Sequence, residues 1–354
     1  MMDLWACARP QTILEGAKTP GWFSMMRAAH IKGFMVLSYN VSFPIPLEDL
    51  ARCLRLLTEE GFEMISLAVP LGHPEGLDTP CHTAHEGWHI RRDINGELVR
   101  WCNAITPAFT RDMIALVAEL RDLGIKTVFW DDDLRQGNHQ GDVQGCFCDA
   151  CIAEFAENYR HVIPRGFSHE TLRPVIPRDP AGLNEDQLRL REAWMDFHCE
   201  RVTGFLEQTN LDGMENGLMV MHRGDRRHGI DLPAIRQRLP RFLFRVGEHV
   251  FNDKAFDQKE KRVDLVESIL THLDLMGDPD RIFSESTVYP HGALSPENLK
   301  RKILLERKCG LRHINLMGVE RMNSPLYYQM LRDNYSLFQE TEKEFTLDRP
   351  IAVE

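Results

Sequence analysis

Apolar residues along this chain gather into short blocks, and between the blocks they repeat at helical spacing. The first readable block is residues 35–39 (MVLSY), with strand composition. Leu47, Leu50, Leu54 and Leu57 then fall on one helix face that stops at Gly61. Residues 64–69 predict a second strand, followed by a long polar excursion rich in His, Gly and Pro that reaches Trp101 and Cys102. Long excursions of this kind inside a compact domain are usually functional or disordered, and its Trp and Pro turns favour order. Thr106 and Pro107 supply an N-cap and a first-turn proline for a helix carrying Phe109, Met113, Leu116, Val117 and Leu120 up to Gly124. A strand at 127–130 follows at once.

Beyond it, residues 152–159 look helical, 164–180 look like loop, and 187–208 form a long helix. Strands are expected at 218–221, 242–246, 282–284 and 313–316, with helices at 233–239 and 259–275 and two more that open on Ser-Pro at Ser295 and Ser324. That makes seven strand-then-helix units, and strict alternation implies parallel strands joined by right-handed crossovers. The pattern predicts a (β/α)8 TIM barrel over residues 35–345, with a tail at 346–354 and with the first strand either hidden in residues 1–34 or lost. An open doubly wound sheet is the runner-up, and it loses weight because no Gly-rich phosphate loop follows the first readable strand.

Polar residues collect at the strand ends, which in a barrel form the active face. Asn40, Asp131, Asp132, Asp133, His222, Glu248 and Glu285 are therefore expected to converge. The strand at 127–130 ends in three aspartates, and like charges so close disfavour simultaneous ionisation, so at least one carboxyl should hold its proton as a general acid must. Alternation sends Asp131 and Asp133 one way and Asp132 the other, so the three cannot all be catalytic. One of them could instead pair with Arg135 or His139, cap a helix, or bind a hard cation. Glu285 in IFSESTVYPHG also follows an apolar strand. Two carboxylates facing one another across a cavity are the minimum needed to cleave a glycosidic bond. Glu248 is placed to orient Glu285 or to bind a sugar hydroxyl.

Arg135, His139, His222, Tyr289 and His291 are further candidates for substrate contact, and His228 and His249 also follow strands. Trp22, Trp88, Trp130 and Tyr289 have faces suited to sugar rings, although an aromatic taken singly is more often core. No HExxH pair and no GxSxG elbow is present, which disfavours zinc-protease and serine-hydrolase chemistry.

Composition adds limits. The chain has 354 residues, 27% charged, a formal net charge of -11 and no apolar run near the ~20 residues that span a bilayer. Neither a membrane segment nor a nucleic-acid footprint is expected. Nine cysteines, without an evident signal peptide, point to a reducing compartment, hence a cytoplasmic protein. Cys146, Cys148 and Cys151 place three thiols within six residues, with Cys102 available as a fourth corner. Thiolates suit Zn²⁺, and a closed four-sulfur site is structural.

The segments DINGELVRWCNAITPAF and TVFWDDDLRQGNHQGDVQGCFCDAC together resemble glycoside hydrolase family 42, the β-galactosidase-type barrels. The resemblance implies zinc held by Cys102, Cys146, Cys148 and Cys151. It puts residues 35, 64, 127 and 282 on strands two, three, four and seven. It also implies Asp133 as acid/base, with Asp132 as the competing assignment, and Glu285 as nucleophile of a retaining glycosidase acting on a small oligosaccharide or glycoside. Trimers are common among such relatives, so a homo-oligomer is implied by analogy. The chain departs from that family in having Asp for Glu at the acid position and Asp for the neighbouring Asn. Two rival readings follow from the same residues: a divalent-metal hydrolase or lyase using Asp131–Asp133 with His139 or His222, and a sugar-binding barrel without catalysis.

Overall fold

A computed structural model describes residues 2–72, 85–131, 134, 145–176, 179–220, 226–322 and 324–353. The expectations for Asp132, Asp133, Arg135, His139 and His222 lie outside the described residues. The strands are β1 (Asp3–Ala8), β2 (Ile31–Asn40), β3 (Glu63–Val69), β4 (Ile90–Arg92), β5 (Leu98–Asn103), β6 (Thr127–Trp130), β7 (Glu215–Met219), β8 (Leu243–Arg245), β9 (Ile282–Phe283) and β10 (His313–Leu316). The helices are α1 (Pro10–Gly16), α2 (Trp22–Ala28), α3 (Leu47–Glu59), α4 (Pro107–Asp122), α5 (Asp149–Asn158), α6 (His169–Leu172), α7 (Glu185–Thr209), α8 (Leu232–Arg238), α9 (Asp253–Phe256), α10 (Lys259–Met276), α11 (Pro296–Cys309) and α12 (Pro325–Glu340).

All strands except β4 and β5 close into one parallel barrel in the order β1, β2, β3, β6, β7, β8, β9, β10, and β1 pairs with both β2 and β10. The fold is a (β/α)8 barrel, and the open-sheet alternative is excluded by closure. The first strand is present at the start of the chain. The strands at 127–130 and 282–283 are the fourth and seventh, as anticipated.

Alternation along each strand sorts its side chains into two layers. Trp5, Cys7, Met35, Leu37, Ile65, Leu67, Phe129, Met219 and Phe283 point to the barrel axis and pack together. Leu4, Ala6, Phe34, Val36, Val128, Trp130, Leu218 and Phe244 point outward into the larger core beneath the helices. The interior is plugged by aromatic edges: Phe283 meets Trp5 at 5.8 Å and Phe129 at 5.2 Å, both T-shaped.

The anticipated capping chemistry is in place. Thr106 Oγ1 accepts from the Phe109 N–H at 3.1 Å to open α4, and Ser295 Oγ accepts from the Asn298 N–H at 3.3 Å to open α11. The antiparallel hairpin β4–β5 lies in the β3–α4 connection. A second apolar core, with Phe147, Phe155, Trp194 and Phe197, fills the connection between β6 and β7. Among the described residues no helix is long and apolar enough to cross a membrane.

Candidate active site at the barrel mouth and a cysteine cluster

Parity carries the strand pattern into the mouth. Glu285 stands two residues beyond Phe283, whose ring points to the axis, and Asp131 two beyond the inward Phe129. Arg245, the last residue of β8, has the parity of the inward Leu243. Three charged groups from the fourth, sixth and seventh strands are thus turned toward one end of the axis. Cys7 shares that neighbourhood. Burial pushes its thiol up to about 12, and the charges of Glu320, Arg245 and Asp131 also act on it.

Glu285 is held from two directions. Arg245 Nη1 lies 2.7 Å from its Oε1, the two side chains being 3% and 12% exposed, and the Glu248 N–H donates to its Oε2 at 2.9 Å. A guanidinium and an amide donor on separate oxygens suit an ionised carboxylate. The Glu285 N–H in turn donates to Glu248 Oε1 at 3.1 Å, so the two loops lock each other. Glu248 is fully buried, with Oε2 2.7 Å from Lys302 Nζ, which is also fully buried. The same ammonium donates to the carbonyls of Val250 at 3.1 Å and Glu285 at 3.0 Å. Below it, Ser286 Oγ lies 2.7 and 2.8 Å from the two carboxyl oxygens of Glu306. Burial, and then the neighbouring charge of Glu248, hold the Glu306 carboxyl well above its ordinary range.

The sign of that shift makes a prediction. A carboxyl that stays protonated in the fold but ionises when unfolded costs stability once pH exceeds the unfolded value near ~4.3, by at most ~1.4 kcal/mol for each pH unit up to the folded value. Glu306→Gln keeps the shape and the acceptor for Ser286. It is expected to be more stable than the parent at pH 7 to 8, with a flatter dependence of stability on pH above about 4.3, read by urea denaturation across that range.

The other sequence candidates divide. Asn40, at the end of β2, turns its Oδ1 back to the Ser42 N–H at 2.8 Å. Tyr289 is 42% exposed on the loop after Glu285, with the Arg321 guanidinium 4.8 Å above its ring, and His291 is exposed on the same loop. Trp130 corrects the expectation: it is completely buried and meets the Phe205 ring at 5.1 Å in the outer core, because strand parity turns it from the axis. Trp88 is likewise buried, donating to Asp112 Oδ2 at 2.9 Å, and Trp22 packs on Phe34. Glu248 is fully buried on Lys302 and hydrogen-bonded to Glu285, a placement that fits the first of the two roles offered for it. Sequence reasoning missed Arg245, Lys302 and Glu306. A cation at the end of an otherwise apolar strand in RFLFRV was the available signal for the first.

The second cluster lies in the β6–β7 connection. The sulfurs of Cys146, Cys148 and Cys151 lie within 4.8 Å of one another, and Cys148 and Cys151 are 3.4 Å apart. Hydrogen bonds from the other two thiols pull Cys148 below its ordinary range. Arg201 Nη1 sits 2.8 Å from Cys151 Sγ, and Arg201 Nη2 2.9 Å from Glu154. The fourth expected ligand does not join them. Cys102 is buried in the core under the helices and its Sγ donates to the carbonyl of Asn103 at 3.4 Å, whereas Cys146 and Cys151 belong to the separate core.

Fold and mouth define a (β/α)8 barrel with a guanidinium-paired glutamate at the end of its seventh strand. Solved structures share that architecture. The chain is similar to the PgaB (BpsB) glycoside hydrolase domain of Bordetella bronchiseptica, with TM-score 0.62 and 10% identity over 94% of this chain and 98% of that one. It is also similar to a cold-adapted β-galactosidase of Rahnella sp. R3, with TM-score 0.64 and 12% identity over 96% of this chain and 56% of that one. At such identities the likeness is one of fold. No protein-family model matches the sequence, and no curated protein matches it.

Proposed function

We propose that this protein is a retaining glycoside hydrolase acting on a small oligosaccharide or glycoside, with Glu285 as nucleophile and Asp133, just past the fourth strand, as acid/base. The observation that carries the proposal is the setting of Glu285: inward parity at the end of the seventh strand, partial exposure, and donors on both oxygens. A nucleophile must be ionised and held in line with the anomeric carbon. Arg245 favours the charge, the Glu248 N–H sets the angle, and Lys302 fixes the loop beneath. In the proposed reaction the Asp133 carboxyl protonates the leaving oxygen while Glu285 forms a glycosyl ester; the Asp133 carboxylate then takes a proton from water, which attacks the ester and frees Glu285. Support comes also from the two solved neighbours, a glycoside hydrolase domain and a β-galactosidase. The likeness of the cysteine and acid segments to family 42 points the same way.

The three-cysteine cluster fits a structural Zn²⁺. Its sulfurs are close enough to share one tetrahedral ion, and thiolates are soft donors. Zinc there would tie the start of α5 to the segment after the acid strand and supply no chemistry to the mouth.

A panel of nitrophenyl glycosides followed by a 2-fluoro sugar or epoxide of the active configuration tests the reading. The expected result is turnover of at least one glycoside and a covalent adduct on Glu285, located by peptide mass spectrometry. An adduct on another carboxylate, or turnover with no adduct and inverted product, would overturn it.

A further inference from the structure

We propose that His198 completes the three-cysteine cluster, giving a Cys3His zinc site in place of the four-cysteine site anticipated from the sequence. The inference rests on the zinc reading above and is independent of the glycosidase reading.

Three thiols leave one corner of a tetrahedron open, and structural zinc sites are closed. Cys102 is turned into a different core and is hydrogen-bonded to a neighbouring carbonyl. His198 is on the right side. It projects from α7 with no exposed surface, and among the described residues neither ring nitrogen has a hydrogen-bond partner. A buried imidazole whose nitrogens meet no described partner is costly to desolvate, so its position calls for a ligand. Its Nε2 lies against Gly145, the residue immediately before Cys146. A Cβ at Gly145 would fall 2.1 Å from that nitrogen, at a φ of +143°, so the chain entering the cluster is kept bare where the imidazole approaches it. Cys148 lies within the electrostatic reach of the ring.

The surroundings suit the loaded site. Three thiolates and one neutral imidazole leave zinc with a net charge of -1, and Arg201, 2.8 Å from Cys151 Sγ and only 13% exposed, supplies the compensating N–H donor and charge. Trp194, at 4.6 Å from the His198 ring, and Phe197, at 4.9 Å, wall the imidazole off from water. The ring nitrogens lie outside the group of three sulfurs that sit within 4.8 Å of one another. Bound Zn²⁺ would be held by the three thiolates, with their protons released, and by the His198 imidazole once its ring had closed on the ion.

Metal content and the cobalt spectrum of the full chain test the site without any substrate. The parent is expected to hold one zinc, and its Co²⁺ form to show the sulfur-to-cobalt charge transfer of three thiolates. Cys102→Ser should keep the metal and leave that spectrum unchanged. His198→Gln should lower zinc affinity by more than the ~10–100-fold that loss of an outer-shell partner costs. His198→Cys guards against a folding defect, because it should keep the metal and add the charge transfer of a fourth thiolate. The assignment of His198 is overturned if Cys102→Ser loses the metal while His198→Gln keeps it, if both keep it, or if His198→Cys leaves the spectrum as it was. A parent with no zinc at all overturns both this inference and the zinc reading.

Discussion

Replacing Glu285 with glutamine is expected to lower turnover of the best glycoside by ~10³-fold or more, about 4 kcal/mol of transition-state stabilisation, with KM little changed. The amide cannot form the glycosyl ester, and it no longer carries the charge that Arg245 faces at 2.7 Å. Its carbonyl still accepts from the guanidinium, so the fold should survive with a modest loss of stability, which separates a chemical defect from an unfolded one. Glu285→Ala sharpens the test, since the vacated space beside Arg245 admits a small anion. Added azide should then restore part of the turnover of a nitrophenyl glycoside and release a glycosyl azide of inverted configuration. The expectation is measured by kcat/KM and by NMR of the product. Turnover of Glu285→Gln within a few-fold of the parent would remove Glu285 from the mechanism.

Much of this arrangement was legible because a buried parallel strand announces itself. The blocks at 64–69, 127–130 and 313–316 coincide with β3, β6 and β10 to within a residue, since continuous apolar runs bounded by polar residues have few other uses. Glu285 stood out for the same reason, as a charge directly after such a run. The first strand did not. DLWACA is six residues at the start of the chain, and α1 and α2, seven residues each, are too short for helical periodicity to rise above composition. Hairpin β4–β5 was hidden because three residues of IRR carry no alternation.

Partnerships were less visible than positions. Lys302 and Glu306 sit in a helix, PENLKRKILLERKC, whose charge density reads as solvated, and only the closed barrel shows that both are buried. Residue spacing could count four cysteines but could not show that Cys102 faces another core, because that depends on which side of β5 packs under the helices. Trp130 failed as a sugar platform for a related reason: sequence parity was available, but the absolute face was not until Phe129 was seen on the axis.

Lys302→Met is expected to be the most destabilising single change near the site. Lys302 and Glu248 are both fully buried at 2.7 Å, and methionine fills the alkyl path of the lysine while leaving the carboxylate without its counter-ion. Breaking a buried pair in this way costs ~3–5 kcal/mol, which for a chain of this length corresponds to a fall in Tm of about 4–7 °C. Adding Glu248→Gln should recover much of the stability, since the buried charge then goes with its partner, and the double-mutant cycle should show a coupling of at least ~1 kcal/mol. Catalysis should not recover with it. Lys302 also holds the Glu285 carbonyl at 3.0 Å, and Glu248 Oε1 accepts from the Glu285 N–H at 3.1 Å, so the repaired double variant keeps its fold while the nucleophile's backbone is loosened. Differential scanning calorimetry, beside kcat/KM for the three variants, checks both halves: equal melting points of Lys302→Met and parent would show that the pair does not hold the mouth together, and full activity in the double variant would show that it does not position Glu285.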